Sequence, residues 1–326
     1  MPWLESANDL DRARAERPVL VPSRLGRLFG IFTPPAPTAP PAGSCVVFLT
    51  RPRSHRNRMW VEGARRLAAR GFACFRFDYH GAGDSEGESG ILDPNAPYRE
   101  DVVAVIRHLR DTLGQGRVVL LGSCFDARTA LSAFVDEGDA IEGLVFIAAP
   151  AMEMESQTRV DADRKDWTHL LRALGNPENW QALGSAERWR YMATVVSRVA
   201  RRSVAGAMAD EPPLARTFIR HFEALRRSRA RALFLYGAED AEYLTFQVAE
   251  RTVFADLDPE TRKRFEIEVW PGRIHGFLEM DRARETFARA LAWIEALHPA
   301  ARSGVGRSAG RAVGGDGATE TAWTSS

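Results

Sequence analysis

Short apolar runs alternate with amphipathic stretches along most of the chain. The runs are rich in β-branched and aromatic residues and have the length of buried strands, whereas the stretches between them repeat at a helical period. This alternation predicts an α/β fold, with a mostly parallel central sheet flanked by helices on both faces. The strand-like runs cover 45–50, 72–79, 117–122, 143–149, 230–237 and 264–270, two short strands flank a turn within 17–33, and helices are predicted near 58–70, 97–113, 125–136, 242–255 and 281–297.

The alternation is interrupted once, between 151 and 229. This stretch has three tryptophans and many arginines but no strand-like run, so we expect a helical lid inserted before the next strand. The last residues are rich in Gly, Ser and Ala without periodicity, which is typical of disorder. The predicted organisation is an N-terminal segment (1–16), a first core part (17–150), the lid (151–229), a second core part (230–298) and a disordered tail (299–326).

The charge and the cysteine content of the chain limit which partner molecules and which bound groups we expect. The 326 residues carry 44 Lys+Arg and 43 Asp+Glu, a formal net charge of +1, which gives no reason to expect nucleic acid or an anionic membrane as the main partner. Three cysteines without a CxxC pair or a Cys/His cluster predict neither a disulfide framework nor a metal site. We also expect no cofactor, no membrane span and, because no signal peptide is visible, a cytoplasmic location.

One strand leads directly into a helix through Gly122-Ser-Cys124-Phe-Asp126. A sharp turn from strand to helix projects its central side chain above the sheet, close to the N–H groups at the start of the helix. The usual motif at such a turn is G-x-S-x-G, whereas this sequence has Cys at 124 and Asp at 126. A cysteine after a strand is by itself more often a buried structural thiol, as expected for Cys45 and Cys74.

Two ionisable residues that follow later strands favour a catalytic role for Cys124 over that of a buried structural thiol. Asp240 comes just after the strand at 230–237, and His275 comes just after the strand at 264–270. Parallel strands present their carboxyl ends at one edge of the sheet, where such folds build their sites. The chain therefore places a nucleophile, an acid and a base at this edge in that order.

Several segments together resemble the α/β-hydrolase fold over residues from about 17 to 297. These are RLAARGFACFRFDYHGAGDSEGE at 66–88, the turn at 122–126, GAED at 237–240 and RIHGF at 273–277. Within that superfamily the chain looks closest to the exosortase-associated hydrolases, which have Cys at the turn, and is less similar to dienelactone hydrolase. The resemblance implies that Cys124 is the nucleophile, His275 the general base and acid, and Asp240 the residue that orients the imidazole.

These residue types support a thiolate mechanism. A cysteine beside an imidazolium and a helix N-terminus favours the charged sulfur, and its attack on an acyl carbon gives a thioester. We expect the oxyanion to meet the backbone N–H of Phe125 and that of Arg51, in the loop after the strand at 45–50. This loop departs from the family because Arg51 stands where His is common and Pro52 has no N–H.

Three further residues are candidates for contacting the substrate. Arg53 belongs to a basic loop that is either solvated or in contact with a carboxylate or phosphate. His55 lies in the same loop, and Asp126 either caps the new helix, which we favour, or lies in the site.

Three functions stay open at this stage. The favoured one is an acyl hydrolase of the esterase or thioesterase type, acting on a small-molecule ester or thioester. The second is an acyltransferase or cyclase that takes an acyl group from CoA or a carrier protein, since exchange between thioesters is nearly isoenergetic. The third is a binding protein on a hydrolase fold without catalysis, because fold alone does not determine function.

Overall fold

A single eight-stranded sheet forms the centre of the protein. The structure is a computed structural model that describes residues 16–50, 52–88, 98–152, 193 and 214–298. The strand order is β1-β2-β4-β3-β5-β6-β7-β8, with β1 and β2 antiparallel to their neighbours and the others parallel. The strands are β1 (Arg17–Ser23), β2 (Gly26–Thr33), β3 (Cys45–Leu49), β4 (Ala73–Phe77), β5 (Val118–Ser123), β6 (Ile141–Ile147), β7 (Arg231–Gly237) and β8 (Phe265–Trp270).

Helices connect the parallel strands and cover both faces of the sheet, as the parallel pairing requires. On one face α1 and α7 pack through large apolar side chains such as Trp60 and Phe287. On the other face α2, α3, α4 and α5 pack through residues such as Phe134 and Phe222. The helices are α1 (Met59–Ala68), α2 (Arg99–Leu113), α3 (Phe125–Glu137), α4 (Arg216–Arg227), α5 (Ala241–Arg251), α6 (Pro259–Arg262) and α7 (Met280–Leu297).

The predicted alternation of strands and helices is confirmed within the described residues. Each strand-like run of the sequence forms a strand, and the predicted helices begin and end within a few residues of the observed ones. The sheet order brings the carboxyl ends of β5, β7 and β8 to one edge, with β6 between β5 and β7. The turn residues Cys124, Asp240 and His275 therefore all start from the same edge.

The stretch predicted as a lid (151–229) is described only in part. Within it, α4 packs its Phe218 and Phe222 into the apolar core beside α3, so this helix belongs to the core layer. Residues 153–192 and 194–213 lie outside the described part of the chain, and so do the predicted N-terminal segment up to residue 15 and the tail (299–326). A lid over the sheet edge stays a prediction. Among the helices that the structure describes, none has the length and apolar character needed to cross a membrane.

Candidate active site

Cys124 lies at the sharp turn between β5 and α3. Its backbone has φ 52° and ψ −118°, a combination that a residue with a side chain rarely adopts and that marks functional sites. The turn is fixed on one side by a hydrogen bond of 2.8 Å from the Cys124 N–H to the carbonyl of Ile147. The thiol is only partly buried, in contrast to the fully buried thiols of Cys45 and Cys74.

Gly122 permits this turn to be tight. A Cβ atom at Gly122 would lie 2.6 Å from the carbonyl carbon of Asp126 and 2.7 Å from the nitrogen of Ala127. Such distances are too short for any side chain, because the backbone atoms at the start of α3 have no room to move away. The glycine two residues before Cys124 is therefore required by the close approach of β5 and α3.

His275 approaches the Cys124 thiol from the loop after β8. A ring nitrogen of His275 lies within 4.8 Å of Sγ of Cys124, and the Nδ1 atom lies 3.1 Å from Oε1 of Glu242. One side-chain atom from each of Cys124, His275 and Glu242 lies within 4.8 Å of the other two. Gly276, with φ 76°, turns the chain directly after the histidine. The turn after β5 and the loop after β8 thus converge at the carboxyl edge of the sheet.

The carboxylate beside the imidazole is that of Glu242, not that of Asp240. Glu242 lies in the first turn of α5, is buried, and faces the ring of His275 with its carboxylate. A carboxylate is also favoured at this position by the positive end of the helix dipole. Sequence reasoning missed Glu242, although it stands at the predicted start of a helix and only two residues beyond Asp240.

Asp240 instead holds the two loops together through their backbones. Its carboxylate accepts hydrogen bonds from the N–H of Gly237 at 2.8 Å, of Ile274 at 3.2 Å and of His275 at 3.1 Å. Burial raises the pKa of Asp240, and these three N–H donors act in the opposite direction. Every hydrogen bond described for the Asp240 carboxylate goes to a backbone N–H group, so its predicted contact with the imidazole is not among the described contacts.

The surroundings of His275 favour its charged form. Burial lowers the pKa of His275 because it disfavours the imidazolium, but hydrogen bonds to Cys124 and Glu242 and the charges of these partners raise it to about 11. The ring is therefore protonated at neutral pH.

Arg53 is engaged with two carboxylates of the protein. Its guanidinium pairs with the fully buried Asp78 and, at 2.8 Å, with Asp84, while its backbone N–H donates to Asp78 at 2.8 Å. The guanidinium also lies 4.7 Å from the centre of the Phe29 ring. These ion pairs fasten the loop after β3 to the turn after β4. A contact of Arg53 with substrate stays a prediction.

His55 and Asp126 also make contacts within the protein. The His55 ring stacks on Trp60 with centroids 4.2 Å apart, and its centroid lies 5.1 Å from that of Phe277 in an edge-on arrangement. Asp126 accepts a hydrogen bond of 2.9 Å from the hydroxyl of Tyr79. His55 thereby joins the loop after β3 to the loop of His275, and Asp126 joins the Cys124 turn to the segment after β4.

The structure describes one of the two predicted oxyanion donors. Phe125 is the first residue of α3 and directly follows Cys124, as the prediction requires. Arg51 lies outside the described residues. The role of both N–H groups stays a prediction.

Cys124, Glu242 and His275 are also residue types that bind zinc, and their side-chain atoms lie within 4.8 Å of one another. The imidazole thus lies beside both a thiol and a buried carboxylate. That these three residues act as nucleophile, base and orienting acid stays a prediction.

Comparisons with known proteins agree with the observed fold. A family model described as serine aminopeptidase, S33, matches residues 40–241. Similar solved structures include a proline iminopeptidase from Mycobacterium smegmatis, with 18% identity, TM-score 0.56 and coverage of 87% of this chain and 100% of that one. An esterase from Pyrococcus furiosus has 16% identity and TM-score 0.56 over 90% of this chain and 95% of that one. A search of curated protein sequences finds no match.

Proposed function

The chain belongs to the serine aminopeptidase, S33, family of α/β hydrolases, and from this premise we propose that it is an acyl hydrolase with a cysteine nucleophile. The observation that carries the proposal is the position of His275 beside both Cys124, at the turn between β5 and α3, and the carboxylate of Glu242. The favoured substrate is a small ester or thioester. In this proposal Glu242 takes the orienting role that the family resemblance implies for Asp240.

The proposed reaction has two half-reactions, and His275 transfers the proton in both. The thiolate of Cys124 attacks the acyl carbon, a carbon–sulfur bond forms, and the ester or thioester bond breaks. The imidazolium of His275 gives its proton to the leaving alkoxide or thiolate. In the second half-reaction His275 removes a proton from water, the resulting hydroxide attacks the thioester, and Cys124 leaves as the thiolate.

Glu242 and the start of α3 support the charges that form. The carboxylate of Glu242 accepts a hydrogen bond from Nδ1–H and so stabilises the imidazolium and fixes the ring orientation. The tetrahedral intermediate carries a negative oxygen, for which we propose the N–H of Phe125 and the N–H of Arg51 as donors. Asp240 acts as a positioning residue, since it binds the backbone N–H of His275.

A specific observation favours acyl transfer as a second candidate. The residue at the turn is Cys124, where the name of the family implies serine, and an acyl thioester keeps the activation of a CoA or carrier-protein thioester. An amine, alcohol or thiol would then replace water in the second half-reaction.

Intact-protein mass spectrometry tests both candidates. The wild type is mixed with activated esters and acyl thioesters and is quenched early and late. We expect an added acyl mass in the wild type and in Cys74→Ala, a control in which a fully buried thiol is removed, and no adduct in Cys124→Ala. Decay of the adduct in water alone supports hydrolysis, and faster decay with an added amine or thiol supports transfer.

The same experiment can contradict the proposal. An adduct that forms equally in Cys124→Ala, or no adduct with any donor, would favour a binding protein without catalysis. Burial raises the pKa of both Cys45 and Cys74 well above the usual range, so these thiols do not compete. An assay with a metal chelator serves as a further control, because the proposed reaction needs no metal ion.

A further inference from the structure

A cavity that several arginines line lies between β2, β4, α1 and the loop 52–58. Its volume is about 510 Å³, and none of Cys124, Glu242 and His275 contributes to its wall. Arg58, Arg65 and Arg76 line it together with Glu16. Three guanidinium groups around one space are an arrangement that suits an anion.

Arg76 is the buried member of this group. It lies in β4, is only 4% exposed, and one of its terminal nitrogens is 3.3 Å from Oε1 of Glu16. Its Nε atom is buried and has no hydrogen-bond partner. Burying the N–H of a charged group without an acceptor costs free energy. The Nε of Arg76 is therefore an unsatisfied hydrogen-bond donor at the cavity wall.

The carboxylate of Glu16 balances only part of the positive charge of Arg58, Arg65 and Arg76. Its carboxylate receives hydrogen bonds from Arg65 at 3.0 and 3.3 Å and also faces Arg76. Arg53, another lining residue, is neutralised by Asp78 and Asp84. Among the lining residues, Arg58, Arg65 and Arg76 therefore have three positive charges against the one carboxylate of Glu16.

We propose that this cavity is a binding site for a phosphate group, held by Arg58, Arg65 and Arg76. The positive charge of these arginines attracts an anion, and the planar guanidinium offers paired N–H groups that fit phosphate oxygens. The volume exceeds that of free phosphate and suits a small phosphorylated molecule. This site does not depend on the proposed acyl chemistry.

Calorimetric titration tests the proposal, with inorganic phosphate and CoA as two probes and pantetheine as the probe without phosphate. Ionic strength is held constant with sodium chloride. We expect phosphate binding to weaken at least about tenfold in the double variant Arg58→Gln/Arg65→Gln, because charge-assisted hydrogen bonds are lost. Glu16→Gln should bind phosphate more tightly than the wild type, because a negative charge beside the site is removed.

Matched variants separate the site from overall charge. Arg227→Gln/Arg282→Gln removes two charges from exposed ion pairs elsewhere and should leave phosphate binding unchanged. Arg65→Lys keeps the charge but loses the paired N–H groups, so binding of intermediate strength is expected even if the double variant fails to fold. CoA binding with no pantetheine binding shows that the phosphorylated nucleotide part of CoA is bound, and equal binding of CoA and inorganic phosphate shows that the phosphate group alone is sufficient.

Two results would overturn the site. One is the absence of phosphate binding in both the wild type and Glu16→Gln. The other is equal weakening by the cavity variants and by the distant double variant. Repeating the titration with Cys124→Ala keeps this outcome separate from the acyl chemistry, because that variant should bind phosphate like the wild type.

Discussion

The carboxylate of Glu242 lies 3.1 Å from Nδ1 of His275, while the carboxylate of Asp240 binds the backbone N–H of the same histidine at 3.1 Å. Two acids that are two residues apart thus contact one base in different ways. One contacts the ring, where it affects the charge and orientation of the base, and the other contacts the main chain that carries it.

The two acids should respond differently to amide substitution. In Glu242→Gln we expect kcat/KM to fall by on the order of 10³- to 10⁴-fold, because the imidazolium loses its carboxylate partner. In Asp240→Asn the N–H groups at Gly237 and His275 lose a charged acceptor, so the free energy of unfolding should fall by about 1–3 kcal/mol. Ester hydrolysis and thermal melting of both variants check this division. The assignment would be reversed if Asp240→Asn lost kcat/KM with little change in its free energy of unfolding while Glu242→Gln kept a kcat/KM near that of the wild type. Asp240 would then be the residue that orients the ring.

The ion pair at His275 should stabilise the folded protein in a pH-dependent manner. The pKa of His275 is raised from its ordinary value of 6.5 to about 11 in the folded state. Its contribution is therefore fully present below about pH 6.5 and is lost as the pH rises towards 11. The difference in Tm between the wild type and His275→Gln should shrink over this interval. The change should be small, because the His275 side chain is 41% exposed and is screened by solvent. A difference that grows with pH would contradict this assignment.

Alkylation reports the charge of the sulfur directly. We expect iodoacetamide to modify Cys124 at pH 6 faster in the wild type than in His275→Gln by on the order of tenfold, because the imidazolium favours the thiolate. Peptide mapping identifies the modified cysteine, and the buried Cys45 and Cys74 serve as internal references. Equal rates in the two proteins would show that the histidine does not activate the thiol.

Gly122 should be intolerant of a side chain. In Gly122→Ala the new Cβ would lie 2.6 Å from backbone atoms of Asp126, so we expect a loss of about 1–3 kcal/mol in the free energy of unfolding, together with displaced Cys124 and low activity. Gly116→Ala is the matched control, since a Cβ there meets no atom within 4 Å. Urea unfolding and ester hydrolysis of both variants measure the contrast. Equal free energies of unfolding and equal activities of Gly122→Ala and Gly116→Ala would contradict the close approach of β5 and α3.

Arg53 should matter for stability more than for substrate binding. Arg53→Gln leaves the fully buried Asp78 without its guanidinium partner, and we expect a loss of about 3–5 kcal/mol in the free energy of unfolding. Arg282→Gln removes an exposed ion pair with Glu285 and should change the free energy of unfolding by less than about 1 kcal/mol. Chemical denaturation gives both values. A stable Arg53→Gln variant with a raised KM would instead restore Arg53 as a substrate contact.

The sequence predicts the fold well because strand and helix patterns are local. The apolar runs that become β5, β7 and β8 are legible as strands, and the rule that parallel strands share an edge places Cys124 and His275 together. The turn at Cys124 is also legible, since Gly122 stands two residues before it.

The details that sequence reasoning missed depend on the reach of side chains and on sheet order. Asp240 and Glu242 are both acidic residues after β7, and only the three-dimensional turn determines which of them meets the ring. Likewise, Arg53 meets Asp78 because β3 and β4 are neighbours in the sheet. Spacing along the chain does not specify such a pairing.

The contact of Asp240 with the backbone of His275 has a consequence for experiment. In a site with a single acid, removing that acid changes both where the base stands and how strongly it holds its proton, and the two effects cannot be told apart. Here one carboxylate anchors the main chain and another faces the ring, so placement and basicity become separable quantities within one protein.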